Sequence, residues 1–227
     1  MAVLIWDKTG EKYYETGVKK GVLYPMEGAT YGNGVAWNGL TQVSESPSGA
    51  EATKLYADDI KYLDIRSAEE FGATIEAYQS PEEFDICDGT AELATGVTIG
   101  QQNRVGFGFS YVSTIGNDTK FNDFGYKIHI IYGLTASPSE RSYSSINDSP
   151  EAQTLSWEVS STPINVEGFK PTSVITINST KCPAEALKEI EETLYGSATK
   201  EPKILLPDEI KAIIDKYATQ SDLNDGE

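Results

Sequence analysis

Histidine occurs once in this 227-residue chain and cysteine twice, and the two scarcities exclude several chemistries together. Cys87 and Cys182 lie far apart with no CxxC and no neighbouring histidine, so the soft ligands of a structural zinc site are missing and a disulfide framework has too few members. Both read as reduced thiols. Positive charge is also thin, with 18 Lys and Arg against 35 Asp and Glu for a net charge of -17. Phosphate gripping runs on Lys and Arg, so a DNA-binding groove is disfavoured. Long apolar runs are absent too: no stretch approaches the ~18 residues that a membrane helix needs, which implies no membrane partner. The apolar run within Met1 to Asp7 is too short for a signal sequence and lacks a basic flank and an A-x-A site, so the expectation is a protein made and kept in a cytosol. Sequons at Asn117, Asn147 and Asn178 have no secretory context and read as chance.

What the chain does have is enough apolar material for a core, 39% hydrophobic and 10% aromatic residues. From about Val18 to Ile177 the pattern has period two, the mark of half-buried strands. Tyr126, Ile128, Ile130 and Tyr132 alternate with Lys127, His129, Ile131 and Gly133; Leu155, Trp157 and Val159 alternate with serines and Glu158. Val105, Phe107, Phe109 and Tyr111 put aromatics on one side of a strand whose other side, Gly106, Gly108 and Ser110, is bare, which predicts a central strand closely approached by another element. Asn33-Gly34 and Asp88-Gly89 suit tight turns with positive φ. Ser46-Pro47-Ser48-Gly49 separates two strand-like runs, about Val35 to Glu45 and Glu51 to Arg66, and predicts a long hairpin with a polar tip at Ser44, Glu45, Ser46, Pro47, Ser48, Gly49 and Ala50.

Ser80-Pro81-Glu82-Glu83 has the form of a capping box and predicts one short helix through Ile86, inserted near 80–87. After Thr180 the spacing changes. Ala184, Leu187, Ile190 and Leu194 form an amphipathic stripe behind Pro183 that Gly196 stops, and Pro207-Asp208-Glu209 opens a second stripe of Ile210, Ile213 and Ile214 ending near Ala218. Residues 221–227 are expected to be disordered. The division is therefore a β-rich domain over 1–180 and a helical extension over 181–227, with the helices on the outside and residues 200–227 dispensable for folding.

Catalytic readings find little support in the residue types. His129 sits within an alternating run and is expected to face solvent or a sheet neighbour. The acidic pairs Asp58-Asp59, Glu69-Glu70 and Glu82-Glu83 are adjacent in sequence, and neighbours on a strand point to opposite faces instead of converging on calcium or a glycosidic bond. Gly106-Phe107-Gly108 lacks the third glycine and following helix of a dinucleotide fingerprint. The expectation is no enzyme, no metal and no cofactor. Trp37, Trp157 and the 13 tyrosines leave one alternative open, a monomeric carbohydrate-binding or receptor-binding β-sandwich, although aromatics at strand period are more often core.

Several stretches carry a resemblance: VAWNGLTQVSESPSGAEATKLYADDIKY (Val35 to Tyr62), FGATIEAYQSPEEFDICDG (Phe71 to Gly89), GYKIHIIYG (Gly125 to Gly133), SWEVSSTP (Ser156 to Pro163), ALKEIEETLYG (Ala186 to Gly196) and LLPDEI (Leu205 to Ile210). In their order and spacing the chain resembles, over nearly its whole length, the major tail (tail tube) proteins of siphophages of Gram-positive hosts. The resemblance implies a mainly β fold of two packed antiparallel sheets with flanking helices, and hexameric rings stacked into a tube. One sheet per subunit would contribute to an inner barrel. Implied partners are further copies of the chain, a tape measure protein, tail terminator and distal tail proteins, and DNA that passes through the lumen without specific binding. The implied location is the virion tail, with assembly in the host cytoplasm. The hairpin tip would reach neighbouring subunits, and Glu45, Asp58, Asp59 and Glu76 are candidates for an acidic lumen that repels phosphate.

Overall fold

A computed structural model describes residues 3–146, 148 and 152–224, with side chains as far as residue 218. The protein is mainly β with antiparallel sheets. Among the described residues fifteen strands run in chain order: β1 (Tyr13–Glu27), β2 (Thr30–Tyr31), β3 (Val35–Trp37), β4 (Leu40–Glu45), β5 (Ser48–Gly49), β6 (Ala52–Ala57), β7 (Ile60–Arg66), β8 (Glu69–Glu70), β9 (Gly72–Ala77), β10 (Ala91–Ala94), β11 (Val97–Ile99), β12 (Phe107–Asn117), β13 (Phe121–Ala136), β14 (Leu155–Ser161) and β15 (Val174–Asn178). A 3-10 turn at Glu82–Phe84 leads into α1 (Asp85–Asp88), and α2 (Ala184–Tyr195) and α3 (Pro207–Asn224) close the chain.

Nine strands form one sheet in the order β2-β1-β12-β13-β14-β9-β4, with β15 also on β13 and β3 also on β1. The two packed sheets expected from the sequence are thus one hydrogen-bonded sheet that curls back on itself. Leu23 of β1 and Ala73 and Ile75 of β9 meet in the same core, although their strands are far apart in the sheet order. At the seam β4 lies against β1 so closely that a Cβ on Gly21 would sit 2.4 Å from Leu40 Cδ1. Phe107, Phe109, Tyr111, Trp157, Trp37 and Phe84 fill this inner core. Trp37 meets Phe109 and Trp157 edge to face, at 5.5 and 5.3 Å between ring centres, the geometry that the aromatic quadrupole favours. Its indole N–H donates to the Gln79 carbonyl at 2.8 Å, which satisfies the polar atom a buried tryptophan carries.

Strand alternation sends the opposite residues outward. Val22, Tyr24, Val112, Ile128, Ile130 and Tyr132 build a second core on the outer face of β1, β12 and β13. Gly133, at φ 59, is where this alternation changes phase. Between Phe107 and Phe109 the β12 strand advances two residues while its partners Leu134 and Ile131 are three apart, so β13 carries a bulge and Leu134 points inward like Ile131. A side chain at 133 would collide with Thr162 O at 2.3 Å.

The helical layer covers that outer face. Ala186, Ile190 and Leu194 of α2 are buried, and an extended strap brings Ile204 and Leu205 into the second core with Ile210 of α3. Gly108 is bare because the strap crosses it: a Cβ there would lie 2.5 Å from Ile204 Cδ1. Tyr24 OH donates to Leu194 O at 2.8 Å and Tyr132 OH to Leu205 O at 2.7 Å. Ile204, Leu205 and Ile210 are therefore core side chains, which counts against the expectation that residues 200–227 are dispensable for folding.

Other boundaries move. The inserted helix occupies Glu82–Asp88 with Pro81 at its N-cap and no side-chain cap bond, so the capping box anchored on Ser80 does not form. Asn33-Gly34 is not a positive-φ turn; Gly34 N–H donates to Pro202 O at 2.8 Å instead. The run from Val35 to Glu45 breaks at Gly39, φ 77, into β3 and β4. Helix α3 continues to Asn224, past the expected end near Ala218 and into the segment expected to be disordered, of which residues 225–227 lie outside the described residues. The sequon at Asn147 lies outside them too.

Candidate assembly surfaces

The predicted pairing of Val35 to Glu45 with Glu51 to Arg66 does not form: β3 pairs with β1 and β4 with β9, while the second run folds on itself as a hairpin. After β4 the chain runs through β5 into β6, turns at Asp58-Asp59, and returns through β7 and β8 to β9. Strands β6 and β7 pair only with each other, and β5 pairs with β8. The tip therefore lies at Asp58 and Asp59, with φ 51 and 60, the left-handed pair that a two-residue turn demands. The expected tip residues sit at the arm's root. Ser44 and Glu45 end β4, Ser46 N–H donates to Gly72 O, Ser48 and Gly49 face Glu70 and Glu69, and Ala50 N–H donates to Ala68 O. Pro47 lies in the link between β4 and β5.

Every residue of β6 and β7 is exposed. Tyr56, Ile60 and Tyr62 are each about two-thirds exposed and Ile65 and Leu63 are uncovered as well. A monomer gains nothing by holding this much apolar surface in water, and contiguous exposed apolar surface marks interaction sites. The sequence pointed to the loop rather than to these side chains. The signal available was the run Leu55 to Ile65, apolar on both faces of its strands.

The four acidic candidates do not share one surface. Asp58 and Asp59 form the tip of the arm. Glu76 lies on the outward face of β9, opposite Gln42 of β4 and Ser156 of β14, while Ala73, Ile75 and Ala77 face the core. Around it Ser44, Thr74, Glu158 and Ser160 continue a polar face without a lysine or arginine among them. No described helix covers this face, since α2 and α3 pack in the second core on the other part of the sheet.

Glu45 turns inward. Its Oε1 accepts the Tyr111 hydroxyl at 2.8 Å and lies 3.9 Å from His129 Nδ1. His129 stacks flat on Tyr111, 4.5 Å between centres and 4° between planes. Its Nε2 is 2.9 Å from Ser113 Oγ, and Nδ1 is 3.4 Å from Thr176 Oγ1. Lys127 pairs with Glu15 nearby. Burial pushes the imidazole below its usual range, an effect that Glu45 and Glu15 oppose and Lys127 reinforces. Burial, followed by the Glu45 hydrogen bond and charge, holds the Tyr111 phenol protonated. Ser113 sits within β12, which is laddered to both β1 and β13, and Glu45 is already engaged by Tyr111. The cluster thus pins the end of β4, the root of the arm, against β12 and β13.

Cys87 is buried, and burial with the nearby Asp88 carboxylate pushes its thiol up to about 12, which keeps it an inert thiol at neutral pH. Among the described residues no group of three or more His, Cys, Asp or Glu side chains is placed to hold a metal, and no helix is long and apolar enough to cross a membrane. Comparison with known proteins finds no family model and no curated protein that matches the chain.

Proposed function

We propose that this chain is the repeating subunit of a phage tail tube of the tail-tube fold type, with six copies closing into a ring and rings stacking head to tail. The observation that carries the reading is the arm: two strands with apolar side chains on both faces, exposed throughout and, among the described residues, laddered only to each other. Such an element is stable only when another molecule covers it, and repeated self-association is the simplest supply of one. The uncovered face of β4, β9 and β14 suits a lumen. It is polar, it carries Glu76 and Glu158, and its charge would repel the phosphates of passing DNA.

In this role the protein catalyses nothing and needs no cofactor. A tape measure protein fills the channel first and DNA passes through later, while tail terminator and distal tail proteins bound the tube. The protein acts in the virion tail after assembly in the host cytoplasm. The carbohydrate-binding alternative loses the platform offered by Trp37 and Trp157, both of which are core residues.

Negative-stain electron microscopy of the concentrated full chain at moderate salt tests the reading. Rings or tubes with a stain-filled channel are expected. Particles without a channel at every salt and concentration would overturn it.

A further inference from the structure

The curled sheet does not finish closing. No ladder joins β1 to β4, and at this seam lies an open groove of about 690 Å³ whose walls include Val22, Ala36, Trp37 and Leu40, with Lys19 and Lys20 along it. The backbone here is irregular. The β1 register slips on both sides of Lys19, and Lys20 stands at φ 53, the left-handed region that a non-glycine residue keeps only under constraint. The bulge leaves the Lys20 ammonium 5.0 Å from the ring centre of Tyr195, another wall of the groove. Among the described residues neither lysine has a carboxylate partner.

The tip of the arm is the counterpart. Its two left-handed positions favour Asn-Gly or Asp-Gly on conformational grounds, yet the second also holds aspartate, and among the described residues neither carboxylate is ion-paired. Tyr56 and Ile60 flank the turn, both uncovered. The left-handed positions of Lys20 and Asp59 therefore carry opposite charges, in each case where glycine would fit the backbone better.

We propose that the Asp58-Asp59 turn of one copy docks in the β1–β4 seam of a second copy. The carboxylates pair with Lys19 and Lys20, and Tyr56 and Ile60 cover Ala36 and Leu40. Other exposed apolar segments match the lysines less well: the β10–β11 turn, Thr95-Gly96 beside Leu93 and Val97, carries no charge, and Val3 to Trp6 is followed by a single aspartate, Asp7, ahead of Lys8, which pairs with Glu11. The dock rests on the self-assembly reading above and assigns that contact its two surfaces.

Sedimentation velocity of the full chain, alone and as variants, tests the dock. Lys20→Gly and the pair Asp58→Asn with Asp59→Gly relieve backbone strain, so each should melt no lower than the parent while self-association weakens at least roughly tenfold. Lys19→Glu with Lys20→Glu, and separately Asp58→Lys with Asp59→Lys, should each fail to associate, and mixing the two should restore assembly because each then meets an opposite charge. Parent and strain-relieving variants associating equally, or a mixture that stays dissociated, would overturn the dock and leave the tube reading standing. A parent monomeric at every concentration would overturn both.

Discussion

The body and the arm are made from the same kinds of strand but solve opposite problems. In the body β12, β13 and the second half of β1 have two loaded faces, one on the inner aromatic core and one on the helical layer, and β9 and β14 have one, so burial fixes register and direction. In the arm β6 and β7 have no loaded face, and only their mutual ladder and the two-residue turn hold them. Stability resides in the body and the unsatisfied surface in the arm.

The sharpest way to break that contrast is truncation after residue 199. It removes Ile204, Leu205 and Ile210 from the second core and the acceptor for Tyr132, and the expected result by circular dichroism is loss of the cooperative melt. Trp157→Ala empties the centre of the inner core and should cost about 3–5 kcal/mol in urea denaturation. Tyr24→Phe leaves Leu194 O without its donor, at a cost of about 1 kcal/mol in the same assay.

The pH response sharpens the comparison at the arm's root. Burial depresses the His129 pKa in the fold, so the unfolded state binds the proton more readily. Its contribution is fully present above about pH 6.5 and is lost as pH falls through the lower folded value. His129→Gln should flatten the fall of the urea midpoint as pH drops below about 6.5. The smallest effect belongs to the arm: Tyr62→Ala should change stability by no more than about 0.5 kcal/mol, while reducing assembly seen by light scattering.

Legibility in the sequence follows the same division. Phe107, Phe109 and Tyr111 against Gly108 and Ser110 announced a central, closely approached strand because one face packs aromatics and the other accepts the Ile204 strap. The strap itself gave no signal, since Ile204 and Leu205 are a short apolar pair without periodicity whose burial is a tertiary event. The arm misled for the complementary reason. With both faces of Ala52 to Arg66 exposed, no alternation marks where the chain reverses, and Asp58-Asp59 lacks the glycine that advertises such a turn. Ser46-Pro47-Ser48-Gly49 has the stronger turn chemistry, and Gly49 does adopt φ 83, but it serves the connection at the root. The parity change at Gly133 was likewise hidden, because the outward series Ile128, Ile130 and Tyr132 ends where the inward one resumes.

The phenols of Tyr24 and Tyr132, whose hydroxyls tie the sheet to carbonyls of the helical layer, are pushed by burial well above the usual tyrosine range. In an alkaline titration followed by tyrosinate absorbance, these two phenols should ionise together and abruptly, when the helical layer lifts from the sheet. The protein thus carries a built-in optical reporter, already sited at the joint whose opening it would record.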